Sequence, residues 1–178
     1  MGIEQRLTQE RLQELFEYDM SSGRLIWKAR PELPAFRDAK FAGKPAGTHD
    51  SSGHIQISID KKLYSAHRLT WLYHFGPIPD GMQIDHINGV RDDNRVVNLR
   101  LATPTGNSRN QKKQQGRSSK YKGVSFHKRL RKWQASIGAL DNKKRMFLGY
   151  FENEIEAARA YDEVAAREFG EFAKLNGV

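Results

Sequence analysis

Apolar and polar positions along the chain repeat with two different periods, and the switches between them mark three segments. At the start, Leu12, Leu15 and Phe16 share one helical face, Thr8 is placed to cap the first turn, and Leu7 is placed to staple against Leu12. The spacing predicts a helix from Thr8 through about Tyr18. A Ser-Ser-Gly turn at 21–23 follows, then RLIWK as a short strand. Residues 31–53, punctuated by Pro and Gly, predict a loop. Ile55, Ile57 and Ile59 alternate with polar residues, DKK at 60–62 turns the chain, and 63–66 brings it back, which is the pattern of a hairpin. Helical spacing returns over 67–75 through Leu69, Leu72 and Tyr73, until GPIPDG ends it.

The middle segment predicts a strand over 83–87, a turn through Asn88-Gly89 and RDDN, and a second extended run over 96–101. Thr103-Pro104 then starts a helix, with the hydroxyl as cap and Pro in the first position. In the last segment YKGVSF, RKWQASIGAL and KRMFLGYF read as three strands. A helix follows in which Asn153 caps, Glu156 completes an Asn-x-x-Glu box, Ile155, Ala158, Tyr161 and Ala165 mark one face, and Gly170 ends the run. The expected fold class is α+β, closing with a three-stranded antiparallel sheet packed on one helix.

Charge changes this picture from a fold to a partner. The chain carries 30 Lys+Arg against 21 Asp+Glu, a net +9 with a pI near 9.8. Between Asp93 and Asp141 lie 47 residues with twelve basic side chains and no acidic one, and the rest of the chain holds eighteen basic against twenty-one acidic. The whole positive excess is therefore in the middle, with Tyr121, Phe126 and Trp133 interleaved. That favours nucleic acid over a solvated face. A membrane partner is disfavoured because no basic amphipathic helix accompanies the charge. With 38% hydrophobic residues, nine Phe, six Tyr and three Trp, the chain is too aromatic for a disordered basic tail. The absence of cysteine excludes disulfides, thiolate zinc sites and Cys nucleophiles. The first residues, MGIEQRLTQERLQ, lack an apolar signal core, and no apolar run reaches membrane-spanning length, so a soluble, cytoplasmic protein is expected.

The candidate chemistry lies in 83–111. A strand, loop, strand and helix there can gather Asp85, His86, Asn98 and Asn107. A hard divalent cation takes oxygen ligands, which the Asp85 carboxylate and the Asn107 amide supply. His86 offers an imidazole nitrogen that can deprotonate a water for attack on phosphorus. Asn98 is suited to hold the His86 loop by side-chain hydrogen bonds. His49, His54 and His74 read as incidental.

DHINGVRDDNRVVNLR, preceded by AHRLTWLYHFGPIPDG, resembles the HNH endonucleases of phage and intron-encoded homing enzymes, over roughly 64–111. The resemblance implies a ββα-metal fold and metal-dependent hydrolysis of DNA, with a nick as the simplest product of one site. It implies His86 as general base, Asp85 and Asn107 as metal ligands, Asn98 as the central structural Asn among the catalytic set, and Mg2+ or Mn2+, one ion per site. His67 and Arg68 match the family's HRL signature.

From Tyr121 to Asn176, the pieces YKGV, KW, LGYF, EAARAYDEVA and AKLN resemble the Apetala/ethylene-response-factor DNA-binding domain. That implies a sheet entering the major groove of double-stranded DNA. Lys122, Arg145 and Phe147 fall at contact positions, Phe147 replacing the usual Trp, while Ser125 and Gly138 stand where arginines are common. Lys112, Lys113, Lys128, Arg129 and Arg131 complete the expected DNA-binding set. The expected organisation is an N-terminal α+β support over 1–66, a nuclease core over 67–111, a basic linker over 112–120 and a DNA-binding module over 121–178. No protein partner is required, and the chain acts as a monomer or dimer. The rival reading from another class is a non-catalytic DNA-binding regulator with a decayed nuclease half.

Overall fold

The computed structural model describes residues 7–31, 34–111, 118–138 and 145–178. The fold is α+β, and the chain divides into two units, residues 1–104 and 105–178.

In the first unit, α1 (Gln9–Leu15) is capped by Thr8, whose hydroxyl accepts from Arg11 N at 3.2 Å. Leu7 and Leu12 share one core, as the staple requires. The helix stops at Leu15, short of the expected Tyr18, because Phe16–Asp19 forms strand β1 and pairs antiparallel with β2 (Arg24–Trp27). FEYD alternates apolar with polar residues, and pairing satisfies backbone groups that a lone RLIW strand would leave open. The expected loop over 31–53 also contains structure. A short helix, α2 (Ala35–Phe41), follows Pro34, and β3 (Thr48–His49) pairs with β4 (Ile55–Ile59).

The expected hairpin is present. β4 pairs with β5 (Lys62–Ser65) through a two-residue turn in which Asp60 and Lys61 both have positive φ, 49° and 63°. That turn twists with the strands it joins. Helix α3 (Ala66–Phe75) follows at once. Leu12, Phe16, Ile55, Ile57, Leu69 and Leu72 are at most 2% exposed and form the centre of this unit's core. The last sheet is β6 (Gln83–His86) against β7 (Leu99–Ala102). The extended run begins three residues later than expected, because Val96–Asn98 makes a 3-10 turn whose Asn98 side chain bonds back into the loop.

Helix α4 (Pro104–Asn110) starts on the last residue of the first unit and otherwise belongs to the second, which continues with the sheet β8 (Val124–His127), β9 (Lys132–Ile137), β10 (Met146–Phe151), with β9 central. Helix α5 (Glu154–Phe169) is capped by Asn153, which accepts from Ile155 N at 2.8 Å, and ends at Gly170 with φ 51°. Its buried face is Ala157, Ala158, Tyr161, Ala165 and Phe169; Ile155, expected on that face, is 40% exposed. Gly123 shows why the strand entry needs glycine. A Cβ there would lie 2.0 Å from the Tyr161 ring, at a φ of +76°. Asn176 ties the C-terminal segment down. Its side chain accepts from Lys122 N at 2.6 Å and donates to Asp162 Oδ1 at 2.9 Å.

The expectations for 112–117, including Lys112 and Lys113, fall outside the described residues. Among the described residues no helix is long and apolar enough to cross a membrane.

Candidate active site

Side chains on a strand alternate between faces, so the β6–β7 ladder sorts its residues into two sets. The register pairs Ile84 with Leu101, Asp85 with Arg100, and His86 with Leu99. Ile84 and Leu99 pack with Trp71 of α3, and His86 belongs to their face. Asp85 and Arg100 belong to the other.

His86 is 6% exposed and sits at the end of β6. Its Nε2 lies 2.9 Å from Asn94 Oδ1, an acceptor, which assigns the ring proton to Nε2 and makes Nδ1 the basic nitrogen. Asn94 is 1% exposed, and its backbone oxygen accepts from the Tyr18 hydroxyl at 3.2 Å. The same hydroxyl accepts from Val96 N at 2.8 Å, so the first hairpin braces the loop that orients His86. Burial raises the Tyr18 pKa, which keeps it a neutral donor. Gly23 closes the brace. With φ +70°, a Cβ there would meet Arg95 N at 2.3 Å.

Asn98 is buried and makes three side-chain hydrogen bonds inside the loop. Its Oδ1 accepts from Asn88 N at 3.0 Å, and its Nδ2 donates to Asn88 Oδ1 at 3.1 Å and to Asp93 O at 2.8 Å. Its backbone oxygen accepts from Ile87 N. Asp93 is held to a pKa of about 2, chiefly by its hydrogen bond from Arg95, with Asn88 adding to it. The loop is therefore clamped from within by Asn98 and from without by Tyr18.

Asp85 is 5% exposed, and its Oδ2 accepts from Arg100 Nε at 3.0 Å and from the terminal nitrogen Nη2 at 2.9 Å. A buried carboxylate has the oxygen chemistry of a hard-cation ligand, and here a guanidinium carries the compensating charge. Asn107 lies half-buried on α4, in the second unit.

His86 meets two histidines that sequence reasoning did not place with it. His67 at the start of α3 and His54 just before β4 have ring centroids 5.1 Å and 6.0 Å from that of His86, and 5.3 Å from each other. His54, read as incidental, is thus part of the site. Its Nδ1 lies 2.7 Å from Ser52 Oγ, and that hydroxyl donates to Asp50 Oδ1 at 2.7 Å. Hydrogen bonds from Ser52 and Gln56 hold the Asp50 pKa far below the usual carboxylate range. Burial is the first cause that pushes His67 down to a pKa of about 3, and the neighbouring His86 adds to it. The same two causes, in that order, lower His54. The His67 Nδ1 is buried with no hydrogen-bond partner among the described residues, a cost of about 1–3 kcal/mol.

In the second unit, Lys128, Arg129 and Arg131 stand exposed in the β8–β9 turn, and Arg145 is exposed before β10. Phe147 is 53% exposed and stacks edge-on with Tyr150 at 4.9 Å. Lys122 is turned inward. Its ammonium donates to the backbone oxygens of Arg109 and Gln111, and burial lowers its pKa to about 8.

A model of a protein family described as HNH endonuclease matches residues 64–109. The chain is also 39% identical over 82 residues to Protein 3.8 of Escherichia phage T7, covering 44% of this chain and 68% of that protein. The chain belongs to the HNH endonuclease family. As an HNH protein it carries an Apetala-like addition. It is 49% identical over 59 residues to APETALA2-like protein 2 of Oryza sativa, and 43% over 61 residues to the AP2-like ethylene-responsive transcription factor PLT2 of Arabidopsis thaliana. Each match covers about a third of this chain but only 13% and 10% of the plant proteins. A solved structure, titled DNA binding and cleavage by the HNH homing endonuclease I-HmuI, aligns with a TM-score of 0.38 and 24% identity, over 54% of this chain and 51% of that chain. The HNH match spans His67, Asp85, His86, Asn98 and Asn107, whereas His54 lies outside it.

A signal for His54 was available. The hairpin register that pairs Ile59 with Lys62 and Gln56 with Ser65, continued by two residues, sets His54 opposite His67. Asn94 and Tyr18 had no such signal, since both act through a loop whose path the residue pattern leaves open.

Proposed function

We propose that this chain is a metal-dependent DNA endonuclease that hydrolyses phosphodiester bonds, nicking duplex DNA on which its C-terminal module docks. The observation that carries the proposal is the buried His86, oriented by Asn94 inside a loop that Asn98 clamps. A base held in one tautomer and one orientation loses little entropy when it takes a proton from water.

In this reading His86 Nδ1 accepts the proton of the attacking water. Asn98 keeps the loop in place. Asp85 is the protein ligand on β6 for Mg2+ or Mn2+. When bound, the ion neutralises charge on the scissile phosphate and the departing oxygen. Arg100, paired with Asp85 through two hydrogen bonds, fixes the direction in which that carboxylate points. Lys128, Arg129, Arg131 and Arg145 contact the DNA backbone, Phe147 lies against the duplex, and Lys122 serves α4 instead. One site per chain makes a single-strand nick the product of a monomer; two strands are cut if the chain dimerises.

The buried Asp85–Arg100 pair is also the observation that favours a non-catalytic DNA-binding regulator, because a carboxylate so paired needs no metal. Plasmid nicking separates the two. Wild-type chain should nick supercoiled plasmid with Mg2+ or Mn2+ and stop with EDTA, and His86→Ala should lower the rate by about 10²-fold or more while still retarding DNA in a gel. Tight DNA binding by the wild type with no metal-dependent nicking would establish the regulator instead.

A further inference from the structure

The three histidines at the end of β6 form a group with a chemistry of its own. One imidazole nitrogen on each of His54, His67 and His86 lies within 4.8 Å of the other two. A Zn2+-class ion binds imidazole nitrogen at about 2.0–2.1 Å, which sets tetrahedral ligand nitrogens about 3.4 Å apart, so the set closes on one ion by drawing inward by up to about 1.4 Å. Hard cations such as Mg2+ prefer oxygen, whereas imidazole suits borderline transition metals. His86 is buried while His54 and His67 are half-buried.

Two further observations point to a ligand. The buried Nδ1 of His67 has no hydrogen-bond partner among the described residues. His54 and His86 each carry the support that orients a metal-binding imidazole. The hydroxyl of Ser52, relaying to Asp50, holds the His54 ring, and the Asn94 amide oxygen holds the His86 ring. All three histidines belong to the first unit and come from separate elements, so tertiary packing has built the group.

We propose that His54, His67 and His86 bind one borderline divalent transition-metal ion of the Zn2+ class, and that this binding excludes hydrolysis. A neutral imidazole has one ring lone pair. When His86 gives it to a metal, that lone pair is no longer there to take a proton from water. The exclusion, but not the binding, rests on the nuclease function proposed above.

The test uses the full chain stripped with EDTA and titrated with Co2+ in excess Mg2+ without DNA, read by visible absorption. The expected result is one Co2+ per chain with the intense absorption of a four- or five-coordinate, nitrogen-rich site, displaced by one equivalent of Zn2+. His54→Gln and His67→Gln should each weaken Co2+ binding at least tenfold, and His127→Gln, in the other unit, should not change it. Circular dichroism checks folding. If His67→Gln unfolds, the half-buried His54 carries the test. A weak octahedral spectrum, or equal affinity in His54→Gln and wild type, overturns the site. In a second arm, saturating Zn2+ should suppress Mg2+-supported nicking by wild type, and uninhibited nicking with Zn2+ bound overturns the exclusion alone. Because the Co2+ titration reads no cleavage, a chain that binds Co2+ and never nicks DNA contradicts the nuclease proposal and leaves the metal site standing.

Discussion

Asn98 shows how much a single polar side chain can organise. Its amide satisfies a backbone N–H, a side-chain oxygen and a backbone oxygen of the 88–93 loop, while its own backbone oxygen receives Ile87 N. Replacing it with Ala leaves these groups to be rehydrated inside a tight turn. Asn98→Ala should cost about 2 kcal/mol in urea unfolding. If the loop holds His86 in register, nicking should fall by roughly 10–100-fold, from misplacement of the base. An unchanged nicking rate in a folded, destabilised Asn98→Ala would show that the clamp serves stability alone. The residue pattern suggested this role for Asn98, because an amide between two strand-like runs has donors and acceptors that a turn needs. It did not reach Asn94, which has the same chemistry four residues earlier and is the more buried of the two at 1%.

At the scale of elements, α4 illustrates a helix too short to stand alone. Seven residues without an apolar stripe gain little from propensity, so outside contacts must hold it. Arg109 stacks on the Phe169 ring at 4.5 Å, and a Cβ on Gly106 would meet the Phe172 ring at 3.3 Å. Lys122 adds its two carbonyl contacts at the C-terminal end, where a cation also opposes the helix dipole. The ammonium is partly desolvated there, and its pKa falls from 10.5 to about 8. Below pH 8 both folded and unfolded chains hold this proton, so it adds no slope. Between about 8 and 10.5 the unfolded chain still holds a proton the folded chain has released, so this group makes stability rise with pH across that window. Urea midpoints measured from pH 7.5 to 10.5 should climb more for wild type than for Lys122→Met; parallel curves would mean that Lys122 stays hydrated. The turn and strand patterns anticipated the elements of this unit well, since local chemistry decides them: Asn153 and Gly170 bound α5, and alternation marks β8 and β9. The first helix was overestimated because Phe16 fits a helical face as well as it fits β1.

For the whole molecule, charge is the quantity that matters. One acid-free stretch carries twelve positive charges while the rest of the chain is net −3, and among the described residues of that stretch Lys128, Arg129 and Arg131 stand exposed on one hairpin turn. Each phosphate neutralised releases counterions, so affinity should fall linearly with log salt, with a slope near −0.9 per contact. Replacing Lys128, Arg129 and Arg131 together with Gln should weaken duplex binding and reduce that slope by up to ~3, measured by fluorescence anisotropy between 50 and 300 mM salt as an assay range. An unaltered slope would place the contacts elsewhere in the basic stretch.

What the sequence determined by itself was local or compositional. The caps at Thr8 and Asn153, the Asp60-Lys61 turn, the strand alternation, the segregated charge and the Asp85-His86 pair need only neighbours in the chain to be legible. The tertiary structure alone decided which distant groups meet. It set Tyr18 beneath the 94–96 loop, gave Asp85 its Arg100 counterion, and brought His54 and His67 onto His86. The reason is that a side chain's partners depend on register and packing between elements far apart in sequence, and several registers are compatible with the same alternation. A local pattern specifies which face of an element is buried. What lies against that face, and hence whether a histidine is a base, a ligand or filler, is settled only when the chain closes on itself.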